Sequence, residues 1–213
     1  MALMLHSAWR ATAPYRVRIG LALKGVEYDY VAVDLLAGEQ REPAYRAVNP
    51  QGLAPALDLG DGHILTQSLA ILEWLEETRP QPPILPRSAL DRAIVRAMAN
   101  IVACDIHPLH NTRVGRKLKD LGLDDTAVSA WIAGWITEGF DALEPMVARH
   151  AGMFAFGDSP TIADCCIVPQ VYSANRFNVD MAAWPAISSV AERTAMHPAF
   201  AAAHPSRQPD AKL

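Results

Sequence analysis

The sequence predicts an α/β domain followed by an all-α domain, and three observations carry that reading. Over the first eighty residues, short apolar or alternating runs take turns with helical patterns. A stretch with four prolines in eight residues, "RPQPPILP", comes next. Beyond it apolar residues recur at helical spacing, and a chain of 213 residues suits two compact units.

In order, "ALMLH" is a short buried strand, and residues 14 to 24 form a helix stopped by Gly25, a residue suited to a left-handed cap. "YDYVAVD" alternates apolar and polar side chains, which predicts a second strand. Residues 41 to 48 predict a weaker helix or turn. "APALDL" and "HILT" flank Gly60-Asp61-Gly62, a hairpin signal. "QSLAILEWLEE" is amphipathic, with Leu69, Leu72 and either Leu75 or Trp74 inward and Glu73, Glu76 and Glu77 outward. The resulting order is βαβαββα. Proline fixes φ and removes a backbone donor, so the domain change is expected within residues 80 to 86, between domains over 1–82 and 87–213.

In the second domain Ser88, with Asp91 three residues later, opens a helix carrying Leu90, Ile94, Met98 and Ile101 at helical spacing. Val128, Trp131 or Ile132, Trp135 or Ile136, and Leu143 predict a second long helix starting at Asp124 or Asp125. Thr161 and Asp164 open a third, where hydroxyl and carboxylate each satisfy an orphan backbone donor.

Hydrophobic content of 51% and charge of 20% describe a globular chain with ample core material. A net charge of −4 gives no reason to expect a nucleic-acid partner, although local basic patches can serve small acidic ligands. Cys104, Cys165 and Cys166 form no C-x-x-C pair, and no histidine grouping beside them has zinc-site spacing, so no metal is expected. "MALMLH" is short for a signal peptide, no apolar run is long enough to span a bilayer, and the terminal "AKL" only loosely resembles a peroxisomal address. The expectation is a cytoplasmic protein without a membrane partner.

Three short motifs offer chemistry. At Ala54-Pro55, a cis bond would leave the Ala54 backbone open to an extended peptide, whereas a trans proline would simply open a strand. Gln67-Ser68 stands at a helix start, where N–H groups and the helix dipole favour a carboxylate, although a serine there also caps helices. "WRATAP" turns the first strand into the first helix, a common place for a nucleophile, yet it holds neither cysteine nor serine and leaves Thr12.

These motifs fall within longer stretches: "YRVRIGLALKGVEYDYVAVDL", "NPQGLAPALDLGDGHILTQSLAILEWLEETRP", "ACDIHPLHN", "GDSPTIADCCIVPQV", "NRFNVD" and "HPSRQPD". In that order, over residues 3 to 209, the chain resembles the glutathione transferases, and among them the zeta class, to which the maleylacetoacetate and maleylpyruvate isomerases belong. The resemblance implies a thioredoxin-like N-terminal domain, an all-α C-terminal domain, a homodimer and glutathione as cofactor. It also implies that the nucleophile is the cofactor's thiol, which the first turn only activates. The family normally reads Ser-Ser-Cys at positions occupied here by Ala11, Thr12 and Ala13, followed by Pro14 and Tyr15. Thr12, or backbone N–H groups at the helix start, must then lower a thiol pKa of about 8.5, and one charge-assisted hydrogen bond is worth about 1.5–3 kcal/mol, against about 1.4 per pKa unit.

Arg10 abuts the first turn, Arg113 follows "CDIHPLHNT" at the end of the first long helix, and Arg176 ends the helix begun at Thr161. The resemblance places all three around the carboxylates and the developing negative charge of an acidic keto-acid substrate, a task suited to planar guanidinium forks. His107 and Asn111, four apart on one helical side, are expected to reach glutathione from the helical domain. The implied reaction is glutathione-dependent cis–trans isomerisation of a maleyl keto acid, maleylacetoacetate first and maleylpyruvate next. Conjugation, dehalogenation or peroxide reduction on the same scaffold, and a non-catalytic glutathione-binding module, are the alternatives that Ala11 and Ala13 leave open.

Overall fold

A computed structural model of the chain describes residues 3–212 and divides it into two compact units, Met1–Ile84 with Met196–Leu213, and Leu85–Ala195. Ala2 of the first predicted strand and Leu213 of the "AKL" ending lie outside the described residues.

The first unit begins with β1 (Met4–Ser7), α1 (Thr12–Leu23), β2 (Asp29–Ala32), α2 (Pro43–Val48), β3 (Ala56–Asp58), β4 (Ile64–Thr66) and α3 (Ser68–Thr78), the order expected. The sheet runs β2-β1-β3-β4, with β1 parallel to β2 and antiparallel to β3. Gly25 ends α1 in the left-handed region at φ +61°, and the Val26 amide closes the cap on the Leu21 carbonyl. Leu5, Val17, Leu21, Leu57, Ile71 and Leu75 form the core between sheet and helices. Gly20 lets α1 meet α3, since a Cβ there would sit 2.2 Å from Leu72 Cδ2. Contrary to the amphipathic pattern, Glu76 is buried: it pairs with buried Lys24 at 2.6 Å and accepts the Ile84 amide at 2.9 Å, which ties down the proline stretch.

The second unit is helical: α4 (Ala89–Asn100), α5 (Thr112–Asp120), α6 (Asp125–His150), α7 (Ile162–Arg176) and α8 (Pro185–Ala195). A π-helical stretch, Ile101–Ile106, and a 3-10 turn, His107–His110, join α4 to α5. Gly139 of α6 makes room for this wider winding, since a Cβ there would lie 2.1 Å from Ile106 Cγ1. The buried face of α4 is Val95, Met98 and Ala99, whereas Leu90 is exposed; α6 buries Val128, Ile132, Ile136, Phe140 and Leu143. Cys165 and Cys166 are fully buried core residues of α7. Among the described residues no helix is long and apolar enough to cross a membrane.

The last helix, α9 (Pro198–Ala203), and the tail after it pack on α1 within the first unit rather than with the helices preceding them. The cause is a polar anchor that hydrophobic periodicity does not reveal. The buried Arg18 guanidinium donates to the Ala203 carbonyl at 3.1 Å, and Asp210 accepts the Trp9 amide at 3.1 Å and the Tyr30 hydroxyl at 2.6 Å.

Candidate active site

The register of the sheet gathers one group of candidates. His6 of β1 stands opposite Ala56 of β3, and Ala56 opposite Thr66 of β4. The end of β1, the start of β3 and the end of β4 therefore share one edge, and the segments leaving that edge carry Arg10 and Thr12, Ala54, and Gln67 and Ser68. Helices α1 and α3 both begin there, so both positive helix ends face the same rim.

At α1 the cap position is Ala11, which offers no side-chain acceptor. Thr12 is the first helical residue and is buried; it does not cap the helix. Pro14 contributes no amide, and the Tyr15 amide is taken by the Ala11 carbonyl at 3.1 Å, which leaves the Thr12 and Ala13 amides at the open end. Arg10 lies over the Trp9 ring, its Cζ 5.6 Å from the centroid.

At α3 the cap is Gln67, held at φ +67° with no side-chain bond to the helix; its amide instead reaches Gln51 Oε1 at 2.7 Å. Ser68 is buried and accepts from Arg16 Nη1 at 3.3 Å, so a cation lies beneath the helix start. The Ala54–Pro55 bond is cis. Tyr45 Oη and Asn49 Nδ2 both donate to the Leu53 carbonyl, at 2.8 and 2.6 Å, fixing the chain just before Ala54. Burial pushes the Tyr45 phenol up to about 12, so it stays a donor at neutral pH.

The helical unit holds the other candidates. Arg176 closes α7, is exposed, and lies 6.0 Å from the Tyr172 ring and 5.5 Å from the Phe177 ring. Phe177 meets His110 edge-on at 6.2 Å, His110 meets His107 at 5.4 Å, and buried Gln170 comes within 3.0 Å of His110 Nε2. Arg176 and His107 thus belong to one aromatic neighbourhood. His107 and Asn111 do not share an α-helical face: His107 starts the 3-10 turn that Pro108 follows, and Asn111 is the cap of α5, its Oδ1 accepting the Arg113 amide at 3.1 Å. Arg113 is accordingly near the start of α5 rather than at the end of the preceding helix, and it is exposed.

Arg16, Arg18 and Asp210 were not singled out by the motifs. The signal available was "YRVRI": residues two apart cannot share a helix face, so at least one arginine had to turn towards the protein. Both do, because α3 and α9 cover α1.

The family model described as "Glutathione S-transferase, N-terminal domain" matches residues 13–78. The chain is 48% identical to a maleylacetoacetate isomerase of Pseudomonas aeruginosa over 208 residues, covering 97% of each chain. It is also 48% identical to a maleylpyruvate isomerase of a Ralstonia species over 209 residues, covering 97% of this chain and 98% of the relative. The holo structure of a maleylpyruvate isomerase, a bacterial zeta-class glutathione S-transferase, superposes with a TM-score of 0.96 at 48% identity and covers 98% of this chain and 100% of that one. A maleylacetoacetate isomerase from Anaeromyxobacter dehalogenans with glutathione in its active site gives a TM-score of 0.91 at 46% identity, covering 99% and 98%. Similar over nearly its whole length, and built around the same thioredoxin-like unit, the chain belongs to the glutathione S-transferase family and to its zeta class.

Proposed function

We propose that the chain is a glutathione-dependent cis–trans isomerase of a maleyl keto acid, maleylacetoacetate foremost and maleylpyruvate next, working as a homodimer in the cytoplasm. The observation that carries this reading is that two helix starts without side-chain caps and the Leu53–Ala54 backbone all adjoin the same end of the sheet, in a chain 48% identical to both isomerases.

The residues at that edge suit glutathione. An extended acidic tripeptide needs main-chain partners along its length and donors at its carboxylates. Ala54 offers the first, and the start of α3 at Gln67 and Ser68, with Arg16 beneath, offers the second. His107, and Asn111 through its amide nitrogen, are assigned to the same cofactor. When bound, glutathione supplies a thiolate that adds reversibly to the conjugated double bond and so permits rotation. Thr12 and the open amides of α1 hold the sulfur in its ionised form. Arg10, Arg113 and Arg176 bind the carboxylates and offset the negative charge developing on a carbonyl oxygen. Nothing in this sequence of events needs a strong base.

The test is an isomerase assay on exhaustively dialysed protein with each maleyl keto acid, with and without glutathione. Turnover that requires the tripeptide is expected, and equal turnover without it overturns the reading. Conjugation, dehalogenation or peroxide reduction in place of isomerisation would assign another activity to the same scaffold. Absence of glutathione uptake by calorimetry would leave a scaffold without the chemistry.

A further inference from the structure

The four residues between β1 and α1, Ala8 to Ala11, belong to no regular element, yet they carry Arg10 and lead into Thr12. Their order comes from outside. The Trp9 amide donates to Asp210 Oδ2 at 3.1 Å, while the Trp9 carbonyl accepts from Arg18 Nη2 at 2.7 Å. The Ala8 carbonyl accepts both the Ala11 amide at 3.2 Å, which closes the turn, and Arg18 Nη1 at 3.3 Å. Arg18 also takes Ser7 Oγ at 3.1 Å and the Ala203 carbonyl at 3.1 Å. Both sides of the Trp9 peptide are thereby held, and the ring of the same residue supports Arg10.

The tail is shaped to deliver Asp210. His204 accepts the Ser206 amide at 3.3 Å and so starts a 3-10 turn. Buried Gln208 then folds back, its Nε2 donating to the Ala202 and His204 carbonyls at 3.1 and 2.9 Å. Two residues later Asp210 faces Tyr30 from β2, whose hydroxyl it accepts at 2.6 Å, and the field of Arg18 from α1. Burial and the bond to Asp210 raise the Tyr30 phenol above its ordinary value, which keeps it a donor.

We propose that the C-terminal segment positions the thiol-activating turn: Asp210 and Arg18 clasp the Trp9 peptide from its two sides and thereby set the places of Arg10 and Thr12. Neither is a catalytic residue; both act through the turn. The inference deepens the proposed function and rests on it. Its physical basis is that a hydrogen bond to sulfur weakens steeply with distance and angle, and that misplacing a catalytic group by about 1 Å can cost about a hundredfold in rate. A fully buried, multiply bonded guanidinium is a rigid anchor for such a turn.

The experiment compares Asp210→Ala, Asp210→Asn and Tyr30→Phe with the unaltered protein, and uses Lys212→Ala, which removes only the exposed pair with Asp34, as the reference. The readouts are the ultraviolet absorbance of the bound thiolate against pH, kcat, the KM for glutathione, and Tm. In Asp210→Ala the thiol pKa is expected to rise by about half a unit or more, about a threefold loss of thiolate at neutral pH, with kcat down about tenfold. The KM for glutathione stays within about twofold, because the Ala54 and Gln67–Ser68 contacts are untouched. Asp210→Asn restores most of both values, since an amide can accept from Trp9 and donate to Tyr30, which would attribute the effect to geometry rather than charge. Should Asp210→Ala not fold, Tyr30→Phe carries the test, with a smaller shift in the same direction. A folded Asp210→Ala, or failing that Tyr30→Phe, whose thiolate pKa and kcat match the reference overturns the clasp, as does a change confined to Tm. If the unaltered protein shows no thiolate band on adding glutathione, the functional reading fails first and takes this inference with it.

Discussion

In the helical unit α4, α5, α6 and α7 each start from a side chain that accepts a first-turn amide: Ser88, Asn111, Asp124 and Thr161. In the first unit α1 and α3 start from Ala11 and Gln67, and neither sends a side chain to the helix. The contrast is sharpest between α7 and α1. At α7 Thr161 Oγ1 accepts the Ala163 amide at 3.2 Å, and the buried Asp164 carboxylate accepts the Thr161 amide at 2.8 Å and the Ala155 amide at 2.7 Å. At α1 the corresponding donors stay open. A capped start uses its amides for folding; an uncapped one keeps them for a ligand.

The largest effect is expected where the cap is complete. Asp164→Ala leaves two buried amides and the Thr161 hydroxyl without their acceptor, so unfolding free energy should fall by about 3–5 kcal/mol, measured by denaturant unfolding. A loss below about 1 kcal/mol would mean that the box at α7 contributes no more than an ordinary surface cap, and the contrast with α1 would lose its basis.

The same carboxyl sets a pH dependence. Burial raises Asp164 from 3.8 to about 6, against the pull of its hydrogen bonds. Between those values the folded chain holds a proton that the unfolded chain has released. This contribution to stability is therefore fully present below about pH 4 and is lost as pH rises to about 6, a change on the order of 3 kcal/mol. The difference between the unaltered protein and Asp164→Ala, followed from pH 4 to 7, isolates it. A difference that does not vary with pH would show that the carboxyl titrates as it does in the unfolded chain.

Much of this contrast was legible because caps are local. Ser88, Asp124, Thr161 and Gly25 act on neighbours within four residues, and the hairpin at Gly60-Asp61-Gly62 needs only its own turn. What was not legible depends on partners far along the chain. Glu76 looked solvated until Lys24, 52 residues away, covered it. Leu90 fits a helical stripe but falls one turn before the buried face begins. The wide winding at Ile101–Ile106 answers to Gly139 on another helix, and beyond it Asn111 leaves the helical side expected to be shared with His107 and Arg113 opens a new helix instead of ending the preceding one. At the site, the rim carrying Thr12, Ala54 and Gln67–Ser68 follows from the order βαβαββα, whereas Arg16 meets Ser68 of α3, 52 residues on, and Arg18 is held by a tail nearly two hundred residues later in the chain.

A smaller effect tests what the open start of α1 does. Thr12→Val keeps the shape and removes the hydroxyl. The pKa of the bound thiol should rise by about one unit, worth about 1.4 kcal/mol, with little change in Tm because Thr12 is not the cap. Titration of the thiolate absorbance measures it. An unmoved pKa would assign the activation to the Thr12 and Ala13 amides alone, which would make the absence of a cap at Ala11 more important.

The smallest effect would make α1 resemble α7. Ala11→Asp gives the helix an acceptor at its cap, and because Pro14 has no amide the accepted donor must be that of Ala13. Stability should rise by about 0.5–1 kcal/mol, or about 1–4 °C in Tm for a chain of this size. The same carboxylate takes a donor from the sulfur and places a negative charge beside it, so the thiol pKa should rise by about half a unit or more. Gain in one property and loss in the other, from one side chain, is what the comparison of the two helix starts requires. A variant that gains stability while the thiolate is untouched would place the sulfur's donors elsewhere than at the head of α1.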